Sequence, residues 1–103
     1  MQSSRIYQGE TTLENEEIKG NRRSKKIQLE YYKVLEGTEK YGVEIVKKEY
    51  RNNKNINTEI GTISNISESS KKVINIIETL KKHKVTPIGL QDVVEDLLKQ
   101  NKF

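Results

Sequence analysis

The spacing of apolar residues changes near Ser64, and this change limits the chain to folds in which strands precede helices. Between residues 27 and 62 apolar side chains recur at every second position, the period of a β-strand with one buried face. From Val73 to Leu97 they recur at intervals of three and four residues, the period of an amphipathic helix. This order predicts a sheet that is covered by the C-terminal half of the same chain.

Three strands are predicted before Ser64, each from an alternation of apolar and polar residues. The alternating positions are Ile27, Leu29, Tyr31 and Leu35 in the first, Tyr41, Val43 and Ile45 in the second, and Ile56, Thr58, Ile60 and Thr62 in the third. Residues 36–39 and 51–55 carry the glycine, asparagine and charged residues that are typical of tight turns. Strands joined by short turns pair antiparallel, so the sequence predicts a three-stranded β-meander.

Two short helices are predicted after Ser64. Ser67 or Ser69 can cap the first, and Thr86 with Pro87 forms an N-cap and first position for the second. The apolar stripes are Val73, Ile76, Ile77 and Leu80 in the first helix and Leu90, Val93, Val94 and Leu97 in the second. Helices of about 14 residues are not stable alone, so both must pack on the sheet or on another subunit. The predicted fold class is α+β, a three-stranded antiparallel meander followed by a C-terminal helical hairpin on one face.

The chain has 103 residues, enough for one domain at most, and 33% of them are charged. Apolar residues follow no consistent period between residues 1 and 26, so we interpret this segment as a flexible N-terminal arm that ends in a basic cluster at 22–26. The predicted domain is residues 27–100, and residues 101–103 are a short C-terminal tail.

Composition excludes several classes of protein and suggests an origin. There is no cysteine, which excludes disulfides, thiolate zinc sites and cysteine nucleophiles. No apolar run approaches the roughly 20 residues that span a bilayer, and the N-terminus lacks a signal peptide, so we expect a cytoplasmic protein without membrane contact. Abundant lysine, asparagine and isoleucine with no alanine indicate an AT-rich genome, as in a low-GC bacterium or its phage.

Residues suited to catalysis or to binding a cofactor are sparse. His83 is the single histidine and follows a lysine-rich helix, where pairing with the C-terminal dipole explains it. Asp92, Glu95 and Asp96 share one helix face and could hold a hard cation, but acidic residues early in a helix are typical of dipole stabilisation. The glycines form no phosphate-binding loop. We therefore predict no enzyme, no metal and no cofactor.

Two kinds of binding function remain open. The alternative is a nucleic-acid-binding accessory protein that uses the lysines of the basic first helix and the N-terminal arm with its cluster of Arg22, Arg23, Lys25 and Lys26. Against it, the second helix is acidic and the first has no arginine for base reading. Tyr32 and Tyr50, which have the parity opposite to the core, could add a stacking surface. The leading hypothesis is a non-enzymatic protein–protein interaction or regulatory module of unknown pathway, with self-association of basic on acidic faces as one form of it. The candidate interaction surface is Lys71, Lys72, Lys81, Lys82, Asp92, Glu95 and Asp96.

Short motifs also link the chain to a known family. At residues 41–47 (YGVEIVK), and again at 85–87 (VTP) with 90–96 (LQDVVED), the chain resembles an uncharacterised family of small proteins from clostridia and related spore-forming Firmicutes. The resemblance covers residues 27–99. It implies a domain of unknown function with no assigned activity, and it assigns a role to no residue.

Overall fold

The computed structural model describes residues 3–14, 25–36 and 40–100, and in these ranges the chain forms four strands and two helices. The elements are β1 (Ser3–Glu14), β2 (Lys25–Glu36), β3 (Tyr41–Arg51), β4 (Lys54–Ser67), α1 (Ser70–Lys82) and α2 (Leu90–Gln100). The strands pair antiparallel in the order β1-β2-β3-β4. Within the described ranges, neither helix is long and apolar enough to cross a membrane.

The α+β class is correct, but the prediction of three strands is wrong. The additional strand, β1, is formed by residues that the sequence analysis assigned to a flexible arm. A β-bulge explains why its period was not visible: the register shifts between Tyr7 and Gly9, so Ile6 and Leu13 face the same side of the sheet although their numbers differ in parity. Gly9 adopts φ 126°, a conformation that side chains with a Cβ rarely reach.

Some of the sequence predictions fall partly on positions outside the described residues. The basic cluster at 22–26 is described only at Lys25 and Lys26, which belong to β2. Residues 37–39 of the first predicted turn and the predicted tail at 101–103 are also outside the described part of the chain.

The core lies between one face of the sheet and the two helices. Its sheet side comes from the two central strands, where Leu29 and Tyr31 of β2 and Val43 and Ile45 of β3 are fully buried. Their cover is the predicted stripe of α1 together with two residues of α2 and the connection before it: Val73, Ile76, Ile77, Leu80, Val85, Leu90 and Val94. The Tyr31 hydroxyl donates a 2.9 Å hydrogen bond to the Val85 carbonyl, which ties β2 to the turn between the helices.

The helix boundaries agree with the capping signals at α1 and differ at α2. Ser69 caps α1, because its hydroxyl accepts a 3.1 Å hydrogen bond from the Lys72 amide. The second helix begins at Leu90 and not at Pro87, so its predicted start is wrong by three residues. Residues 87–89 form a turn in which the Gly89 amide donates to the Thr86 carbonyl, a three-residue spacing that is tighter than an α-helical turn.

The alternating residues that predicted β4 lie on the face of the sheet that points away from the helices. Thr58, Ile60 and Thr62 pair with Lys48, Val46 and Glu44, whose positions alternate with the core residues of β3. Ile60 is 61% exposed as a result. The buried side of β4 is instead supplied by Ile63 and Ile66, which pack partly against the core.

Candidate functional site

The four predicted lysines of α1 do not form one patch. Lys71 and Lys82 are exposed at opposite ends of the helix, about 16 Å apart along its axis at 1.5 Å per residue. Lys72 and Lys81 are partly buried. The Lys81 ammonium lies 2.8 Å from a Glu78 carboxylate oxygen and also donates a 2.8 Å hydrogen bond to the Gln8 carbonyl of β1. Lys81 therefore has a structural role in holding the first strand.

The three predicted acidic residues do form one face. Asp92, Glu95 and Asp96 are all exposed on α2. Two of them accept hydrogen bonds from their own helix, from the Gln91 amide to Glu95 at 3.2 Å and from the Gln100 amide to Asp96 at 3.0 Å. Within the described ranges no ion pair joins this face to the lysines of α1.

A denser group of interacting side chains lies on the face of the sheet opposite the helices, here called the open face. Paired residues of neighbouring strands share a face, so the register assigns its positions. The open face carries Arg5, Tyr7, Glu10 and Thr12 of β1, Gln28, Glu30, Tyr32 and Val34 of β2, Glu44, Val46 and Lys48 of β3, and Thr58, Ile60 and Thr62 of β4.

Arg5, Tyr7, Tyr32 and Glu44 form the centre of this face, here called the Arg–Tyr cluster. The Arg5 guanidinium carbon lies 4.1 Å from the centroid of the Tyr32 ring, and its Nε atom lies 2.6 Å from the Glu44 carboxylate. Tyr7 meets the edge of Tyr32, with ring centroids 5.7 Å apart and planes at 67°. An arginine on an aromatic face and an edge-to-face ring pair are both favourable arrangements, so the cluster is held in one geometry across three strands.

Carboxylates fix both tyrosine hydroxyls. Tyr7 donates a 2.5 Å hydrogen bond to Glu10, and Tyr32 donates a 2.9 Å hydrogen bond to Glu30. The bond to Glu10 raises the pKa of Tyr7 to about 12, because ionisation would place two negative charges side by side. Desolvation by burial, followed by the bond to Glu30, raises the pKa of Tyr32. Both hydroxyls therefore remain protonated donors at neutral pH.

The same carboxylates extend the network along the sheet. Glu30 also pairs with the Lys48 ammonium at 3.1 Å, and this contact raises the pKa of Lys48. Glu10 accepts a 2.7 Å hydrogen bond from the Gln28 amide. Each carboxylate thus has two donors on neighbouring residues, which restrains the side chains more than separate surface ion pairs would.

Two valines are buried on the open face although no helix covers it. Val34 is 3% exposed and Val46 is 4% exposed, and neither belongs to the core cluster under the helices. The long polar and aromatic side chains around them on the open face are of the kind that cover apolar surface with their stems and rings. The open face is therefore a packed layer of aromatic, apolar and charged groups.

The carboxylates of this arrangement already have hydrogen-bond or ion-pair partners. They are occupied by tyrosine, arginine, lysine and amide donors, and no histidine lies near them, since His83 is exposed at the end of α1. In the part of the chain that the structure describes, no three histidine, aspartate or glutamate side chains are grouped so that they could hold a metal ion. Within the Arg–Tyr cluster the residues exposed for contact are Tyr7, 51% exposed, and Arg5, whose side chain is 50% exposed.

Sequence analysis missed the Arg–Tyr cluster because two of its residues belong to β1. One signal could have revealed the strand: Ile6 and Leu13 fall on opposite parities with a glycine between them, which is typical of a strand interrupted by a bulge. The position of Tyr32 on the face opposite the core agrees with the predicted alternation.

The fold and the open face define a class, a small α+β domain in which two helices cover one face of a four-stranded meander and leave a polar, aromatic face uncovered. The chain belongs to a family of unknown function, DUF6514, which matches residues 10–100. The match extends beyond residues 27–99, where the motifs suggested a resemblance, and takes in part of β1. No curated protein and no solved structure matches this chain.

Proposed function

We propose that this protein is a non-enzymatic protein-binding module and that its partner contacts the open face of the sheet. The observation that carries the proposal is the Arg–Tyr cluster, in which Arg5, Tyr7 and Tyr32 contact one another on an uncovered surface. Tyrosine and arginine are enriched among the residues that dominate the energy of protein interfaces. Side chains already fixed by carboxylates lose little entropy on binding, which favours affinity.

Charge supports a protein partner over nucleic acid at this face. Glu10, Glu30 and Glu44 lie among the aromatic residues and would repel phosphate groups. Tyr32, which a stacking mode would need, already has Arg5 over its ring. The runner-up proposal is nucleic-acid binding through the basic α1 and the N-terminal arm. Its α1 half is weakened by the separation of Lys71 from Lys82 and by the bonds of Lys81.

Two broader proposals concern the setting in which the module works. The resemblance of the motifs at 41–47, 85–87 and 90–96 supports an origin in spore-forming Firmicutes, and the lack of alanine with abundant lysine, asparagine and isoleucine agrees with a low-GC genome. The lack of cysteine supports a cytoplasmic location. A regulatory role in an unknown pathway is the form of the function that we propose for such a module.

The test compares two pairs of substitutions in a quantitative native pull-down with the full chain. Arg5→Ala with Tyr7→Ala removes the exposed half of the Arg–Tyr cluster, and we expect recovery of a specific partner to fall about tenfold or more, as for residues central to an interface. Lys71→Ala with Lys82→Ala also changes two exposed side chains, but on α1, and we expect recovery to be unchanged. Circular dichroism of each variant checks that it is folded.

The opposite pattern would overturn the proposal. Partner recovery that survives loss of Arg5 and Tyr7 but not loss of Lys71 and Lys82 would place the interface on the helices. Binding of arbitrary DNA or RNA that weakens with salt, and that is abolished by neutralising Lys71, Lys72, Lys81 and Lys82, would establish the nucleic-acid function instead.

A further inference from the structure

The two edges of the sheet differ in their ability to accept another strand. The β1 edge is interrupted at its middle, where the bulge at Gln8 and Gly9 shifts the register. The Gln8 carbonyl is already bonded to the Lys81 ammonium at 2.8 Å. Bulges and lysines are the features by which natural sheets prevent edge pairing, so this edge is protected.

The β4 edge is regular over seven residues. Asn57 to Ile63 pair without interruption with Glu49 to Val43 of β3, and among the described strands none pairs with the other side of β4. Irregularities bound this stretch at both ends: a register shift opposite Glu49 and Tyr50, where Ile56 is the extra residue, and Asn65 with φ 57°. The middle residue of the regular stretch is Ile60, which is 61% exposed.

We propose that β4 pairs antiparallel with β4 of a second copy of this chain, about a two-fold axis at Ile60, to form a continuous eight-stranded sheet. With the axis perpendicular to the sheet, Ile60 lies opposite Ile60 and Thr58 lies opposite Thr62, so β-branched residues meet on the open face. On the other face Glu59 lies opposite Gly61, and Pro87 packs closely over this glycine, since a Cβ on residue 61 would lie 2.9 Å from the Pro87 carbonyl oxygen. The unpaired backbone of both edges is satisfied at the same time.

Charge disfavours the register that is centred on Glu59. A two-fold axis perpendicular to the sheet keeps the same face of both copies on one side. Residues that lie opposite each other must then point to the same face, so the axis passes between one residue and the same residue of the second copy. Moving it to Glu59 would place two carboxylates directly opposite each other, an unfavourable pair. With the axis at Ile60, Glu59 is the single charged residue of the stretch and has glycine as its neighbour.

The inference is independent of the open-face partner, because the test uses the purified full chain alone. We expect sedimentation equilibrium from micromolar to millimolar concentration to show a mass rising from 12.0 kDa to twice that value. Ile60→Glu and Ile60→Lys should each remain at the monomer mass, since like charges meet at the axis. An equimolar mixture of the two should recover the dimer, because each position 60 then faces the opposite charge.

The matched control is Ile6→Glu, which makes the same change at an exposed isoleucine of the β1 edge, where Lys33 lies opposite and accommodates the carboxylate. This variant should dimerise as the unmodified chain does. A wild-type chain that stays at 12.0 kDa throughout, a dimer that survives Ile60→Glu, or a mixture that remains monomeric would each overturn the proposal.

Discussion

At the scale of single residues, one residue adopts a backbone conformation that is unfavourable for its type. Among the described residues four that are not glycine adopt positive φ: Asn52, Asn53, Asn65 and Lys84. Asparagine tolerates this conformation because its short polar side chain can bond locally, and the adjacent pair at 52–53 suits a two-residue hairpin. Lysine has no such compensation. At φ 53° Lys84 closes α1 by donating from its amide to the Lys81 carbonyl, while the Val85 amide donates to Leu80.

Lys84→Gly should therefore stabilise the protein. Glycine reaches the left-handed conformation without a steric cost, and we expect the free energy of unfolding in urea to rise by about 1 kcal/mol. Lys84→Ala serves as the control, because alanine removes the same charge but keeps the strain, and it should give no gain. Equal effects of the two substitutions would show that charge, and not backbone conformation, governs this position.

At the scale of elements, the sequence predicted those strands and helices whose apolar period is continuous. Leu29 and Tyr31 predicted β2 correctly, and the stripe from Val73 to Leu80 predicted α1. In each element these residues form one face that is buried in the same core. The period of β1 was hidden by one inserted residue at the bulge, and the start of α2 was displaced because the turn at 87–89 uses the residues expected of a helix N-terminus. The bulge in β1 and the later start of α2 cannot be predicted from neighbouring residues alone, because they depend on the partner strand or on the preceding helix.

Tyr31 connects these elements and should make their packing sensitive to alkaline pH. Burial raises the pKa of Tyr31 to about 12, against about 10 in an unfolded chain. Because the folded state holds the proton more tightly, its contribution to stability is complete below pH 10 and is lost as the pH rises towards 12. Tyr31→Phe should lower the free energy of unfolding at neutral pH by about 1 kcal/mol through loss of the bond to Val85, and should flatten its decline above pH 10.

Urea unfolding at a series of pH values between 8 and 11.5 measures both effects on Tyr31, and Tyr7→Phe provides the comparison. The pKa of Tyr7 is also raised to about 12, but the cause is its bond to Glu10 on an exposed surface. Tyr7→Phe should change the slope above pH 10 while costing less at neutral pH. If the decline in stability is the same for the wild-type chain and Tyr31→Phe, the buried hydroxyl is not the group that titrates.

At the scale of the whole molecule, stability and the candidate site lie in different places. The thirteen buried hydrophobic residues of the described chain come from β2, β3, the helices and the turn between them, and none comes from β1 or β4. The Arg–Tyr cluster instead depends on β1. This separation explains why the sequence predicted much of the core but not the site: burial imposes an apolar period, whereas polar residues on an uncovered face follow none.

The same separation predicts a gradient of amide hydrogen exchange across the molecule. β1 contributes its backbone ladder, a few partly buried side chains and the bonds of Arg5 and Lys81, so it should open without unfolding the centre. We expect its amides to exchange about tenfold or more faster than those of β2 paired with β3. Lys81→Met, which removes the bond to Gln8, should speed exchange in β1 by about a further fivefold, equivalent to one lost hydrogen bond of about 1 kcal/mol.

Mass spectrometry of peptides from each strand reads this gradient, with Lys82→Met as the control, because Lys82 is the exposed neighbour of Lys81 at the end of the same helix. The control should leave β1 unchanged, and neither substitution should alter exchange at the buried centre of α1. Were β1 to exchange as slowly as the central strands, the four strands would open as one unit, and the open face would be as rigid as the core. A binding surface that spans a less stable strand and a stable one can instead be ordered further by its partner, and this gain in order would be measurable as slower exchange in β1 alone.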